Sequence, residues 1–159
     1  MINPIIESIV CSLLPITELR GGIPLAVYRG ISIYSALIVC VIANYFVIPL
    51  VFFFLDNFHG ICMHNRYYNK IYNNHIENKR GLLEKHIGTK WEFFVLMFLV
   101  GIPLPVTGAY TGTLLAWFFE IPRKRAYLAL TLGIVIAGLI VSLVVLFGIK
   151  TLDFFIKTI

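Results

Sequence analysis

The chain has 159 residues, 59% of them hydrophobic and 13% charged, with a formal net charge of +5 and a mean hydropathy of +0.89. Soluble domains run at about 45–50% apolar and about 25% charged, so a soluble globular domain is excluded, and the length leaves room for one membrane domain over residues 1–159. The positive balance does not point to nucleic acid, because the basic residues are not interleaved with aromatics and no binding motif occurs.

In chain order, Pro4 to Thr17 is mostly apolar, Glu18 to Pro24 (ELRGGIP) interrupts it with two charges, two glycines and a proline, and Leu25 to Gly30 leads back out. Residues 1–30 are therefore expected to form a re-entrant hairpin broken at ELRGGIP, with a broken single crossing from Pro4 to Tyr28 as the alternative. A secretory signal is not expected, since it wants a basic start and no Lys or Arg precedes Arg20. Ile31 to Leu55 carries no charge; about 20 apolar residues span a core of roughly 30 Å, so this run predicts a transmembrane helix. Residues 56–92 read as a polar loop in which Ile76 to Ile87 predicts a short interfacial helix. His59, Cys62 and His64 cluster there, followed by His75 and His86, but without a second ligand pair at zinc spacing. Cys11, Cys40 and Cys62 have no C-x-x-C spacing, so no metal, cofactor or disulfide framework is expected.

Phe93 to Phe119 is also uncharged, but its middle holds Gly101, Pro103, Pro105, Gly108 and Gly112. Proline removes a donor and pushes its predecessor out of the helical region, so one straight helix is excluded. At 1.5 Å per residue the arms Phe93 to Ile102 and Gly112 to Phe119 reach about 15 Å and about 12 Å, near half the bilayer. That predicts a second re-entrant hairpin over 93–119. Non-helical backbone at such depth is tolerated only where protein or a water-filled cavity satisfies it, so the tips should line a site. Ala126 to Ile149, again uncharged, predicts the second transmembrane helix. The fold class is thus an all-α membrane protein of two transmembrane helices and two re-entrant hairpins.

Counting Lys and Arg, the hairpin arrangement puts nine on the face of the 56–92 loop and three on the other, which predicts a cytoplasmic loop in a multi-pass plasma-membrane protein; four crossings would give eight against four. The halves also look duplicated. Displaced by 90 residues, Leu14-Pro15-Ile16-Thr17 matches Leu104-Pro105-Val106-Thr107, Gly22 falls on Gly112, and Leu25-Ala26 on Leu115-Ala116. A register of 79 residues, placing Gly22 to Val27 on Gly101 to Val106, competes locally, but the longer offset preserves the distance to the following helix. A hairpin-plus-helix unit crosses once, so its copy starts from the other face, and inverted repeats with broken helices are the plan of many secondary transporters.

Glu18 and Arg20 are the charges inside the apolar segments, and ionisable residues at membrane depth are candidate functional groups. In the extended backbone that Gly21, Gly22 and Pro24 favour, residues two apart point the same way and the two can pair. Burial opposes charge on Glu18 whereas an adjacent Arg20 favours it, which suggests coupling: Arg20 holds an anion and Glu18 carries a proton. A static ion pair anchoring the hairpin is the alternative. From the second tip Thr107, Tyr110, Thr111 and Thr113 offer hydroxyls, Pro103 and Pro105 open the backbone, and Gly108 and Gly112 allow close approach. Asn44, midway along the first span, is expected to hydrogen-bond a tip carbonyl.

The segments TELRGGIPLAVYRG, LEKHIGTKWEFF and GIPLPVTGAYTGTLLAWFF resemble the small multi-drug export protein family, a group of prokaryotic integral membrane proteins, over most of the chain. The resemblance implies ion-coupled export of a small molecule. A more distant similarity to DedA-like membrane proteins implies movement of lipid or lipid phosphate and maps an acid and an arginine onto Glu18 and Arg20, although the second tip carries no charge. A non-transporting membrane subunit is the third possibility. No nucleophile–base–oxyanion arrangement suggests an enzyme, and no G-x-x-x-x-G-K suggests ATP hydrolysis. Expected partners are membrane lipids, a small-molecule or lipid substrate, and further copies of the chain in a homodimer or higher homo-oligomer.

Overall fold

The computed structural model describes residues 3–62, 90–103 and 108–157, and among them all regular structure is helical. Six helices follow one another: α1 (Pro4–Leu13), α2 (Glu18–Tyr28), α3 (Ile33–Cys62), α4 (Lys90–Gly101), α5 (Ala109–Phe118) and α6 (Arg123–Lys157). The apolar spans of α3 and α6, Ile33–Phe58 and Arg123–Gly148, have 26 residues each, or about 39 Å at 1.5 Å per residue, which is long enough to cross a bilayer. The other four helices have 10 to 12 residues and reach only about 15–18 Å. α3 starts two residues after the expected 31 and runs past 55, and α6 runs past both 126 and 149, because helical hydrogen bonding continues into the polar flanks. The 76–87 segment and most of the 56–92 loop lie outside the described residues.

The first break falls one step before ELRGGIP. Asn3 opens α1 by accepting from the Ile5 amide at 3.0 Å, with Pro4 in the first turn, where a missing N–H costs nothing. Pro15 then sets the other end: Leu14 before it has ψ of 134°, the extended backbone forced by a following proline. ELRGGIP, expected to be open, is instead the body of α2, with Pro24 inside it. Its glycines serve contact rather than breakage. A Cβ on Gly22 would lie 1.9 Å from Ser12 Oγ of α1 and 3.2 Å from Cys40 Sγ of α3, so the three helices approach as closely as they do because the side chain is absent.

Several features of the first half have counterparts ninety positions on. The end of α2 is closed by Gly30 N–H to Val27 O and Ile31 N–H to Ala26 O, and the end of α5 by Glu120 N–H to Trp117 O and Ile121 N–H to Ala116 O. Gly30 and Glu120 both carry positive φ, 86° and 51°, the left-handed cap position that closes such a motif. Buried residues coincide too: Glu18, Leu19, Gly22, Ile23 and Ala26 in the first half, Gly108, Ala109, Gly112, Thr113 and Ala116 in the second. Where Gly22 meets Cys40 of α3, Gly112 meets Leu130 of α6. The packing exchanges in the same sense, α2 lying against α6 as α5 lies against α3.

Large apolar side chains such as Phe46, Phe53, Phe54, Leu143 and Val144 point outward on the long helices and are more than half exposed, as expected of surfaces facing hydrocarbon. Apolar burial gives helices little reason to associate in lipid, so close packing must hold them together. Gly22→Ala is accordingly expected to destabilise the protein by about 1–3 kcal/mol, and adding Ser12→Ala should recover most of the loss; thermal unfolding in detergent checks both.

Candidate functional site

The four short helices turn their inner ends toward one level. In the first hairpin Arg29 Nη2 holds Glu7 Oε2 at 2.9 Å, placing the start of α1 beside the end of α2 and the Leu14–Thr17 break at the opposite end. In the second, Trp117 Nε1 donates to Asp56 Oδ1 at 3.0 Å, and Arg123 Nη2 reaches both Asp56 oxygens at 2.8 Å while lying over the Phe52 ring. These contacts tie the outer end of α5 to the far part of α3. The two breaks therefore meet in between: the Tyr110 hydroxyl of α5 donates to Leu13 O at the end of α1.

At this meeting point Glu18 begins α2 with its side chain buried and its backbone at φ 45°, a left-handed conformation that costs an L-residue roughly 1–2 kcal/mol. Its carboxylate lies against the first turn of α5. The Tyr110 amide donates to Oε1 at 3.5 Å, and the Ala109 amide also faces it. Gly108 precedes those amides and makes no side-chain cap of its own. A Cβ there would sit 1.8 Å from Glu18 Oε2, so the carboxylate occupies the space that glycine leaves open. A helix start has unsatisfied N–H groups and a partial positive charge of about half a unit. Glu18 thus caps a helix from the other half of the chain.

The candidates separate on this geometry. Glu18, Gly108 and Tyr110 converge. Arg20 is half-buried and stands two positions from Glu18 along a helix rather than on the expected extended backbone, and the two still interact as opposite charges. Gly21 packs on Thr17 and Cys11, and Gly22 and Gly112 at helix contacts, while Pro24 lies within α2 and Pro103 just beyond α4. Thr111 is half-buried beside Tyr110, and Thr113 turns inward to Ala109 O. Pro105 and Thr107 lie outside the described residues. Asn44 is 1% exposed, and neither atom of its amide has a partner among the described residues; residues 104–107 of the second tip, whose carbonyls were candidates for the expected bond, lie outside them. Sequence reasoning missed the role of Gly108 as the receptacle for Glu18; the signal was the 90-residue register itself, which sets 18 against 108.

Next to the clasp, Leu50, Val51, Phe53, Phe54 and Leu55 of α3 with Tyr110, Thr111 and Leu114 of α5 line a groove of about 630 Å³. Among the described residues no group of three metal-ligating side chains occurs.

A family model described as "Putative small multi-drug export protein" matches residues 18–140. Comparison with curated proteins and with solved structures gives no match. The matched range includes Glu18, Asn44, Gly108 and Tyr110 and leaves out α1.

The clasp predicts a strong coupling between positions 18 and 108. Gly108→Ala should cost about 1–2 kcal/mol, the worth of a lost helix cap, in the presence of Glu18 and close to nothing in a Glu18→Ala background; a double-mutant cycle on unfolding free energies measures the difference.

Proposed function

The chain belongs to the putative small multi-drug export protein family, and on that premise we propose that it is an integral membrane transporter exporting a small molecule in exchange for a coupling ion, with Glu18 as the ion-binding group. The observation that carries this reading is the Glu18 carboxylate inside the receptacle of Gly108, where it joins the inner ends of two broken helices from different halves of the chain. Half-helix ends meeting near the midplane are how many secondary transporters bind ions and substrates. As a carboxylate, Glu18 caps α5 and holds the halves together. Once neutralised it is a poor cap, and the halves are released from one another. Alternating access follows if the two halves rock about this contact.

The reading takes the α1–α2 and α4–α5 pairs as re-entrant hairpins and the two halves as an inverted repeat. Short helices of half-bilayer reach, the shared 90-residue register and the exchange of packing partners support it. The excess of basic residues around 56–92 supports a cytoplasmic position for that loop in the plasma membrane. The groove between α3 and α5 beside Tyr110 is the place for an apolar substrate body. Two spans and two half-depth hairpins enclose little volume, so the transporter works as a homodimer or larger assembly.

A second reading, translocation of a phosphate-bearing lipid, draws on one observation: the start of α5 is an anion site, and an anion could take the place of Glu18 with Arg20 nearby. The test is transport in proteoliposomes. Glu18→Gln should abolish ion-driven export while sparing the fold, and Arg20→Lys should reduce it only modestly; loss of lipid-phosphate movement with Arg20→Lys would favour the second reading, and full activity in both variants would reject both. Single cysteines at Leu14 and Tyr110 should crosslink, as facing inner ends require.

A further inference from the structure

Asn44 is a buried polar residue that the clasp leaves unexplained, and the one in which two side-chain atoms, a donor and an acceptor, are both unsatisfied among the described residues. Its side chain is 1% exposed, and among the described residues neither Nδ2 nor Oδ1 has a hydrogen-bond partner, an arrangement that costs stability. The fold does not demand an amide there: the position ninety residues on is Ile134, equally buried at 1%. Helical register fixes the depth of Asn44. Gly22 of α2 meets Cys40 of α3, and α2 and α3 are consecutive helices joined by a tight cap, running in opposite directions. One turn toward the inner end of α2 from Gly22 is Glu18, and one turn on from Cys40 along the same face of α3 is Asn44. Glu18 and Asn44 are therefore level, on helices in contact, near the middle of the span Ile33–Phe58.

Resting on the transport reading above, we propose that the coupling ion is a proton and that Asn44 is the second half of its binding site. The ionised carboxylate is an acceptor only, and it lies on the donor N–H groups of α5. A proton converts it to a group with one donor and one acceptor, which no longer suits a cluster of donors. An amide offers the complementary set. The Glu18 O–H donates to Asn44 Oδ1 and Asn44 Nδ2–H donates to the Glu18 carbonyl oxygen, so a half-turn of the side chain away from Gly108 trades the cap of α5 for a two-bond pair on α3. The proton comes from the aqueous side to which the site is open and leaves to the other. A sodium ion is poorly served here, because the groups around the carboxylate are the donor amides of Ala109 and Tyr110 and the cation Arg20. The other titratable groups near Glu18 are Cys11 on α1, Cys40 on α3 and Tyr110 on α5; α4 and α6 bring none at this depth.

The experiment is infrared titration of the purified full-length protein in lipid, with sodium-free and sodium-containing buffers, reading the C=O stretch of a protonated carboxylic acid. Acidification should produce a band that Glu18→Gln removes and that sodium leaves in place. In Asn44→Leu the band should appear only about one pH unit lower, a tenfold loss in proton affinity, and at a frequency of weaker hydrogen bonding. Asn44→Leu should unfold no sooner than the wild type, since it removes two unsatisfied groups. In the unmutated protein, the side-chain amide resonance of Asn44 should move with the same pH midpoint and stay fixed in Glu18→Gln. A band unchanged in Asn44→Leu, or an Asn44 resonance indifferent to pH, overturns the proposal while leaving Glu18 as the ion-binding group. A band that survives Glu18→Gln overturns the transport reading itself, and a band suppressed by sodium overturns the choice of ion.

Discussion

The architecture depends on how the end groups of broken apolar helices are satisfied. Each helix start exposes N–H groups without partners, and lipid offers none. α5 begins at Gly108 without a side-chain cap of its own, in a segment too short to reach across the bilayer. The structure solves the problem by bringing a carboxylate from elsewhere: Glu18 supplies the acceptor, and Gly108 supplies the space. Neither hairpin end is satisfied alone, so the two halves are bound by a need for partners more than by apolar contact, which is worth little between helices in lipid.

Much of this was legible in the chain. The two long uncharged runs became α3 and α6, and the glycine- and proline-bearing middle of 93–119 divided α4 from α5, because a span needs length and a proline breaks it whatever surrounds it. The 90-residue offset, rather than 79, is the one at which the caps at Gly30 and Glu120 correspond. What misled was the weight given to glycine. Gly21 and Gly22 were read as openings of the backbone, yet a glycine pair in a membrane helix more often marks a close helix contact, and the packing of Ser12 and Cys40 on Gly22 is that case. Pro15, one turn earlier, was the residue with the power to break the chain.

The extended backbone expected at Glu18 and Arg20 followed from that same error. With ELRGGIP helical, the two still interact as opposite charges, and the carboxylate also takes hydrogen bonds from outside α2. No local pattern announces that a glycine ninety residues on will be the receptacle. Asn44 was harder still: a lone asparagine in an apolar run has several uses, and its burial without a partner among the described residues shows only in the fold. By contrast, the ion pairs at the outer ends, Arg29 with Glu7 and Arg123 with Asp56, involve half-exposed groups whose worth is small; they align the hairpins without holding them.

Positions 18 and 108, an acid and a glycine ninety residues apart, differ where the starts of α2 and α5 meet, and sterics explain why. A side chain as long as glutamate can enter the contact only if the facing position has no Cβ, since even one methyl group at Gly108 would overlap the carboxylate. Two acids would collide and repel, while two glycines would leave the helix start uncapped. In the transport reading proposed above, the same logic extends one layer out, where Asn44 on α3 is matched by Ile134 on α6, and each copy of the chain binds one coupling proton at Glu18.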